Sequence, residues 1–146
     1  MTSTATPRQV RNAIQENFKA HWDATEAAPA PVVYDNKHFP TDGSEYVHFN
    51  VSHAGGTIPV LGNKHYRRNG LIILNIFVPE AQGQQRADQL AEFALAWIET
   101  FQVLDVRIRD PGINDIGSFG AYWQANMSAS FEYDEIRDLV FPNEFE

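Results

Sequence analysis

The sequence contains no cysteine. This excludes disulfide bonds, thiol catalysis and thiolate metal sites, and it fits a reducing compartment. No apolar run approaches the roughly 20 residues that a membrane-spanning helix needs. The first ten residues, MTSTATPRQV, also lack the apolar region of an export signal. We therefore expect neither a membrane span nor export.

Basic residues are scarce. Eleven Lys and Arg stand against 19 Asp and Glu, which gives a net charge of −8. Arg67 and Arg68 form the one adjacent basic pair, whereas nucleic-acid-binding proteins usually show a basic face. An anionic membrane surface would repel the same charge. We expect no recognition of nucleic acid sequence and no membrane binding.

The composition is that of a folded chain. Hydrophobic residues make up 43% of the 146 residues and aromatic residues 12%, which argues against global disorder. We predict a single domain over residues 1–146. Residues 1–5 and about 138–146 are expected to be flexible or interface-forming tails.

One stretch, residues 61–101, organises the predicted fold. It contains a strand over 69–78, ended by Pro79, and an amphipathic helix over 86–101 with an apolar stripe. Both parities of the strand are largely apolar, so we expect both of its faces to be covered. A charge placed at Ile73 should then unfold the subunit.

The remaining segments complete an α+β domain with a mainly antiparallel sheet and two long helices. Thr6-Pro7 is typical of a helix start, and the apolar spacing continues the first helix to about residue 24. AGG at 54–56 is predicted as a turn, and the glycine-rich segment 110–120 as a mobile loop. The other predicted strands cover residues 32–34, 45–53, 57–61, 103–109 and 121–133. The order is α-β-β-β-β-α-β-β.

Two helices cover about one face of such a sheet, so the second face needs a loop or another subunit. The acidic C-terminal tail carries apolar residues that the domain does not explain. The last strand offers an uncharged polar stripe that suits either a wet protein interface or a plain solvent face. The tail residues are Leu139, Val140, Phe141 and Phe145, and the stripe residues are Gln124, Asn126, Ser128 and Ser130.

No set of residues indicates catalysis. Four histidines fall within 28 residues, but no zinc-ligand spacing connects them. Asp110 with Asp115, and Asp134 with Glu135, fall in expected solvated turns, and no nucleophile elbow or Walker loop is present. We expect no enzyme, no metal and no cofactor. The four histidines are His38, His48, His53 and His65.

The stretch GNKHYRRNGLIILNIFVPEAQGQQRADQLAEF resembles the signature of tail terminator (tail-completion) proteins of long non-contractile-tailed bacteriophages, the lambda-like group. A glycine-asparagine turn and an aromatic-arginine pair come before a glycine that opens an aliphatic strand ending in Phe-Val-Pro. Residues 32–39 and 120–135 show weaker matches. The marked positions are Tyr66, Arg67, Gly70, Phe77, Val78 and Pro79.

The resemblance implies a structural protein of the virion. Such proteins form a hexameric ring at the head-proximal end of the tail tube, stop tube polymerisation and help to join head and tail. The implied partners are further copies of the chain, the tail tube protein and a head-completion or connector protein, with assembly in the host cytoplasm. Another neck or tube component of similar fold is the first alternative. A small ligand-binding α+β domain or enzyme is the second.

Six residues are candidates for a subunit or partner interface. Three of them lie in the matching motif, where they either fix a turn to the sheet or, for Arg67, pair with a carboxylate of a neighbouring subunit. Two lie in the predicted 110–120 loop, and one lies in the C-terminal tail. The candidates are Tyr66, Arg67, Arg68, Asp110, Phe119 and Phe141.

Overall fold

The computed structural model describes residues 5–24, 30–34, 44–60, 65–81 and 83–136, with only the backbone described at 57–60 and 119. These residues form two helices and five strands, and they confirm the α+β class with one strand fewer than expected. The elements are α1 (Pro7–Asp23), β1 (Val32–Tyr34), β2 (Tyr46–Val60), β3 (His65–Pro79), α2 (Gly83–Glu99), β4 (Arg107–Phe119) and β5 (Tyr122–Ile136). The predicted tail at 138–146 and the candidate Phe141 lie outside the described residues.

The start of α1 is fixed by its cap. The Gln9 backbone N–H donates to Thr6 Oγ1 at 3.3 Å, and the Thr6 N–H donates back to Gln9 Oε1 at 2.9 Å. This capping box satisfies donors that a helix N-terminus leaves without an intrahelical partner. Neither of the two described helices is long and apolar enough to cross a membrane.

The five strands form one sheet in the order β1-β2-β3-β5-β4. The short β1 runs parallel to β2, and the other three pairings are antiparallel. β3 therefore lies at the centre and pairs with β2 on one side and with β5 on the other. The hairpin from β4 to β5 turns through Gly120, whose φ of 60° lies in the left-handed region that glycine tolerates.

The core lies between the two helices and one face of the sheet. The rings of Phe18 and Phe49 stack with centroids 4.2 Å apart, and Trp97 meets Phe18 edge-on at 5.1 Å. Trp97 Nε1 donates to Asn17 Oδ1 at 2.7 Å, which links the two helices. Four alternate residues of β3 are fully buried against this layer, as expected for one parity of the strand: Ile72, Leu74, Ile76 and Val78.

The prediction of a turn at 54–56 was wrong, because β2 runs without interruption through it. The register of β2 against β3 shifts between Ala54 and Gly56, as in a β-bulge. A Cβ at Gly56 would lie 2.7 Å from the Arg67 carbonyl oxygen, so this glycine permits a close backbone approach. The two strands predicted at 45–53 and 57–61 are therefore one strand.

The prediction of a loop at 110–120 was also wrong, because residues 107–119 form the edge strand β4. Its turn-forming residues lie at two irregularities of the paired strand. The register of β4 against β5 shifts there, after Arg109 and after Asp115. Asp110 adopts a φ of 52° and Gly117 a φ of 110° within them. The strand predicted from 103 begins only at 107, since Leu104 lies in a turn with a φ of 50°.

Candidate functional site

The second face of the sheet is the main surface feature, and we call it the open face. No described helix or strand packs against it, so its expected cover by a loop or by another subunit stays a prediction. Its side chains alternate with those of the core along each strand. They are Tyr46, His48, Asn50 and Ser52 from β2, Leu71, Ile73, Asn75 and Phe77 from β3, and Gln124, Asn126, Ser128 and Ser130 from β5.

The centre of the open face combines aliphatic and uncharged polar groups. The register places Leu71 between Ser52 and Ser130 on the neighbouring strands. Leu71 is 42% exposed, which is unusual for a large apolar residue in a central strand. Ile73 lies on this same face and is only half-buried, so it is not a core residue as the sequence suggested.

One end of the open face is aromatic. Tyr46 stacks on Phe77 with ring centroids 4.7 Å apart, and Tyr122 meets Tyr46 edge-on at 5.6 Å. The Tyr122 hydroxyl donates to the Ser44 carbonyl oxygen at 3.2 Å. These contacts bury most of Tyr46, so this end is packed within the chain itself.

The opposite end, which we call the arginine end, carries three arginines and two carboxylates from β3, β4 and β5. Arg67 Nε donates to Asp134 Oδ1 at 3.0 Å, and Arg107 lies 3.4 Å from the other oxygen of Asp134. Arg109 pairs with Glu132. Arg67 thus has a carboxylate partner in its own chain, and its further role toward a neighbouring subunit stays a prediction.

The arginine end exposes its positive groups more than its negative ones. The side chain of Arg109 is 66% exposed, against 15% for Glu132, and Arg67 is 41% exposed, against 21% for Asp134. The hydrogen bond from Arg67, helped by the charge of Arg107, holds the pKa of the Asp134 carboxyl below its usual value. The Asp134 carboxylate therefore stays ionised beneath the guanidinium groups of Arg67 and Arg107.

Arg68 lies on the helix-covered face, because consecutive strand residues point to opposite sides. Its Nε donates to Glu135 Oε1 at 3.0 Å, and the Glu135 side chain is only 1% exposed. The Arg68 guanidinium also lies 5.1 Å from the centre of the Tyr66 ring. Tyr66 and Arg68 thus make contacts within the chain that fit the structural alternative for this motif, and an interface role for them stays untested.

A histidine links this region to α1. His53 Nε2 lies 2.7 Å from the Tyr133 hydroxyl, and His53 Nδ1 lies 3.4 Å from Arg11 Nη2. Burial, with the charges of Arg11 and Arg68, lowers the pKa of His53 below its ordinary value of 6.5, while Glu135 opposes the shift. Burial likewise raises the pKa of Tyr133 to about 12. No sequence pattern indicated this cluster, because its members come from three separate elements.

The other candidates lie at the outer strand. Asp110 is exposed within the first irregularity of β4, and Phe119 ends that strand opposite Tyr122. Arg107 and Arg109 belong to the strand predicted at 103–109, but the sequence analysis did not select them as site residues. Their alternation with Ile108 was the available signal, and their pairing with β5 is what joins them to Arg67.

The described residues contain no group of three histidine, aspartate or glutamate side chains that could hold a metal ion. The chemistry that the arrangement offers is recognition through apolar contact, amide and hydroxyl hydrogen bonds, and guanidinium groups. Such a surface suits a protein partner.

Comparison with known proteins decides the family. The family model described as "Phage tail terminator protein" matches residues 9–104, which is more than half of the chain. The chain belongs to the phage tail terminator family. It is accordingly a structural protein of a phage tail, as the sequence resemblance implied. None of the curated proteins matches the chain.

Solved structures support the fold of this terminator-family chain. Fourteen chains match it. One of them is 19% identical and superposes with a TM-score of 0.69 over 92% of this chain and 98% of its own. At this level of identity the match concerns the fold alone.

Proposed function

We propose that the protein forms a hexameric ring that caps the head-proximal end of the tail tube. In this role it stops tube polymerisation and presents a surface to a head-completion or connector protein. It acts without catalysis and without a cofactor, and it is assembled into the virion in the host cytoplasm. The observation that carries the proposal is the match of residues 9–104 to the terminator family.

A ring needs a head-to-tail contact in which one patch of each subunit meets a different patch of the next. The open face is the natural first patch, because it combines exposed Leu71 with uncharged polar side chains. We propose that Arg67, Asp110, Phe119 and Phe141 contribute to subunit or partner contacts around it. Tyr66 and Arg68 would act less directly, by fixing the strand that carries Arg67.

The outer edge of the sheet, strand β4, favours assembly through the sheet face rather than by strand addition. An unprotected edge strand invites addition of further strands, and proteins prevent this with bulges, prolines and charges. The outer strand β4 has two register shifts, and Arg109, Asp110 and Pro111 occupy the first. An edge of this kind is a poor template for strand addition, which favours a contact through the sheet face.

Another neck or tube component of similar fold is the second candidate, and growth separates the two. A tube protein adds subunits without limit, whereas a terminator closes at six. The mass of the purified full chain, measured by light scattering over a range of concentrations, tests this directly. We expect a species of about 99 kDa, six times the 16.5 kDa chain. Unlimited polymer would favour the tube, and a monomer at every concentration would contradict a self-assembling ring.

A further inference from the structure

We propose that the open face, together with its arginine end, binds the C-terminal segment of a second copy of this chain, residues 137–146. The inference rests on the proposed ring and names the contact between neighbouring subunits. It follows from the size and chemistry of the face, from the charge of the segment and from the place where β5 ends.

The open face is large enough for a stable contact. Strands β2, β3 and β5 have 15 residues each and β4 has 13. At about 3.3 Å per residue and about 4.8 Å between strands, the face measures on the order of 900 Å². A standard stable interface buries about 800 Å² on each partner. Its centre contains no Asp, Glu, Lys or Arg side chain, and depletion of charged residues is typical of interface centres.

The arginine end determines what kind of occupant fits. The guanidinium groups of Arg67 and Arg109 are more exposed than the carboxylates they pair with, so an approaching chain meets these two positive groups first. Arg107, the third arginine, also lies 3.7 Å from the exposed carboxylate of Asp105. The whole chain carries a net charge of −8, which makes this end an exception on its surface. An occupant with large apolar side chains and several carboxylates would complement both parts of the face.

The C-terminal segment, RDLVFPNEFE, has this chemistry. Its apolar side chains match the Leu71 region, and its carboxylates match the arginine end. A groove beside Leu71, lined also by Arg109 and Ser130, offers room for one large side chain. The apolar residues are Leu139, Val140, Phe141 and Phe145, and the acidic residues are Asp138, Glu144 and Glu146.

The position of Ile136 favours docking of the C-terminal segment on a neighbouring copy rather than on its own sheet. Ile136 ends β5 opposite His65, beyond the point where β4 begins opposite Glu132. The segment therefore starts at the tip of the sheet, past the arginine end. Ten extended residues reach roughly 33 Å. An extended segment that starts at the tip would point beyond its own sheet, toward an adjacent copy.

Cysteine cross-linking of the full chain tests the contact, because the natural sequence has no cysteine that would interfere. One variant combines Leu71→Cys with Phe141→Cys. A matched control combines Phe141→Cys with Glu16→Cys, which is exposed on α1 on the helix side of the sheet. A short bis-maleimide linker joins cysteines that lie close together and tolerates a small error in register. Denaturing gels then separate linked from unlinked chains.

We expect the Leu71–Phe141 variant to give a ladder of linked chains extending to the hexamer, at about ten times the yield of the control. A linked but monomeric chain would show that the segment covers its own sheet and would overturn the second-copy contact. No linkage, or equal linkage in the control, would overturn the docking itself. Circular dichroism and light scattering of each variant verify fold and mass before linkage. A hexamer without linkage contradicts this inference alone, whereas a monomeric natural chain contradicts the proposed ring.

Discussion

Arg67 and Arg68 are neighbours in the sequence but lie in different electrostatic surroundings. The alternation of a strand sends Arg67 to the open face, where Asp134 is 21% exposed, and Arg68 to the covered face, where Glu135 is 1% exposed. Water screens the first pair and is largely excluded from the second. Two residues of identical chemistry should therefore differ in their contribution to stability.

Substituting each arginine with methionine separates the two environments. Arg68→Met removes the guanidinium from a buried carboxylate and should lower the free energy of unfolding by about 2–3 kcal/mol. This is less than the roughly 3–5 kcal/mol of a fully buried pair, since Arg68 is itself 31% exposed. Arg67→Met is the control and should cost clearly less, because water screens its exposed ion pair. Urea denaturation measures both, and equal losses would contradict the assignment of the two faces.

His53 predicts a pH dependence of stability. The fold lowers its pKa below 6.5, so the unfolded chain takes up a proton at a higher pH than the folded chain. The stabilisation is present above about pH 6.5 and is lost as the pH falls through the folded-state pKa. Protonation would add positive charge beside Arg11 and Arg68. Tyr133, with its pKa raised to about 12, keeps its proton throughout this range.

Melting temperatures measured from about pH 7 down to about pH 5 test this sign. The natural chain should lose melting temperature over the interval, and His53→Gln, which cannot titrate, should lose less. Asp134 does not confuse the comparison, because its lowered pKa matters only near and below the ordinary aspartate value of 3.8. If the melting temperatures of the two proteins fall equally with pH, His53 is not the source of the pH dependence.

At the scale of elements, the bulges of β2 and β4 set the shape of the sheet. Glycine, proline and aspartate normally indicate turns, and at 54–56 and 110–120 they were interpreted as turns. Within this sheet they accommodate register shifts instead, because the pairing on both sides of each shift continues. Local residue preference cannot distinguish a turn from a bulge. The presence of a partner strand decides between them.

Gly70 illustrates a position where an element depends on the lack of a side chain. A Cβ there would lie 2.1 Å from the Ser52 carbonyl oxygen and 2.7 Å from the Phe131 ring. Gly70→Ala should therefore lower the free energy of unfolding by about 1–3 kcal/mol. Gly55→Ala, where an added Cβ meets nothing within 4 Å, is the matched control and should change it by no more than about 0.5 kcal/mol. A tolerated Gly70→Ala would contradict the close approach of β2, β3 and β5.

At the scale of the whole molecule, the sheet separates a face that maintains the fold from a face available for assembly. Leu74 is fully buried beneath the helices, whereas Ile73, its neighbour, lies half-buried on the open face. A charge on the first should damage the fold, and a charge on the second should damage contacts between subunits. Alternate residues of β3 thus stabilise the fold on one face of the sheet and are available for subunit contacts on the other.

The pair Leu74→Asp and Ile73→Asp tests this separation. Leu74→Asp buries an unpaired carboxylate and should cost more than about 4 kcal/mol, enough to unfold many domains. Ile73→Asp should stay within about 1 kcal/mol of the natural chain while reducing the hexamer observed by light scattering. A hexamer that survives Ile73→Asp would remove the centre of the open face from the interface. Unfolding by Ile73→Asp would show that this face is covered within the subunit.

The two helices, the α+β class, the central strand and the family could be predicted from the sequence, because helical periodicity, capping residues and turn-forming residues are local signals. The alternation of apolar residues also located the core parity of β3. Tertiary pairing, by contrast, established that the segments at 54–56 and 110–120 are strand. It also decided that Arg67, Arg107 and Arg109 meet at one end and that Ile73 points away from the core. These properties depend on which strands become neighbours, and pairing between residues far apart in the chain leaves little trace in local composition.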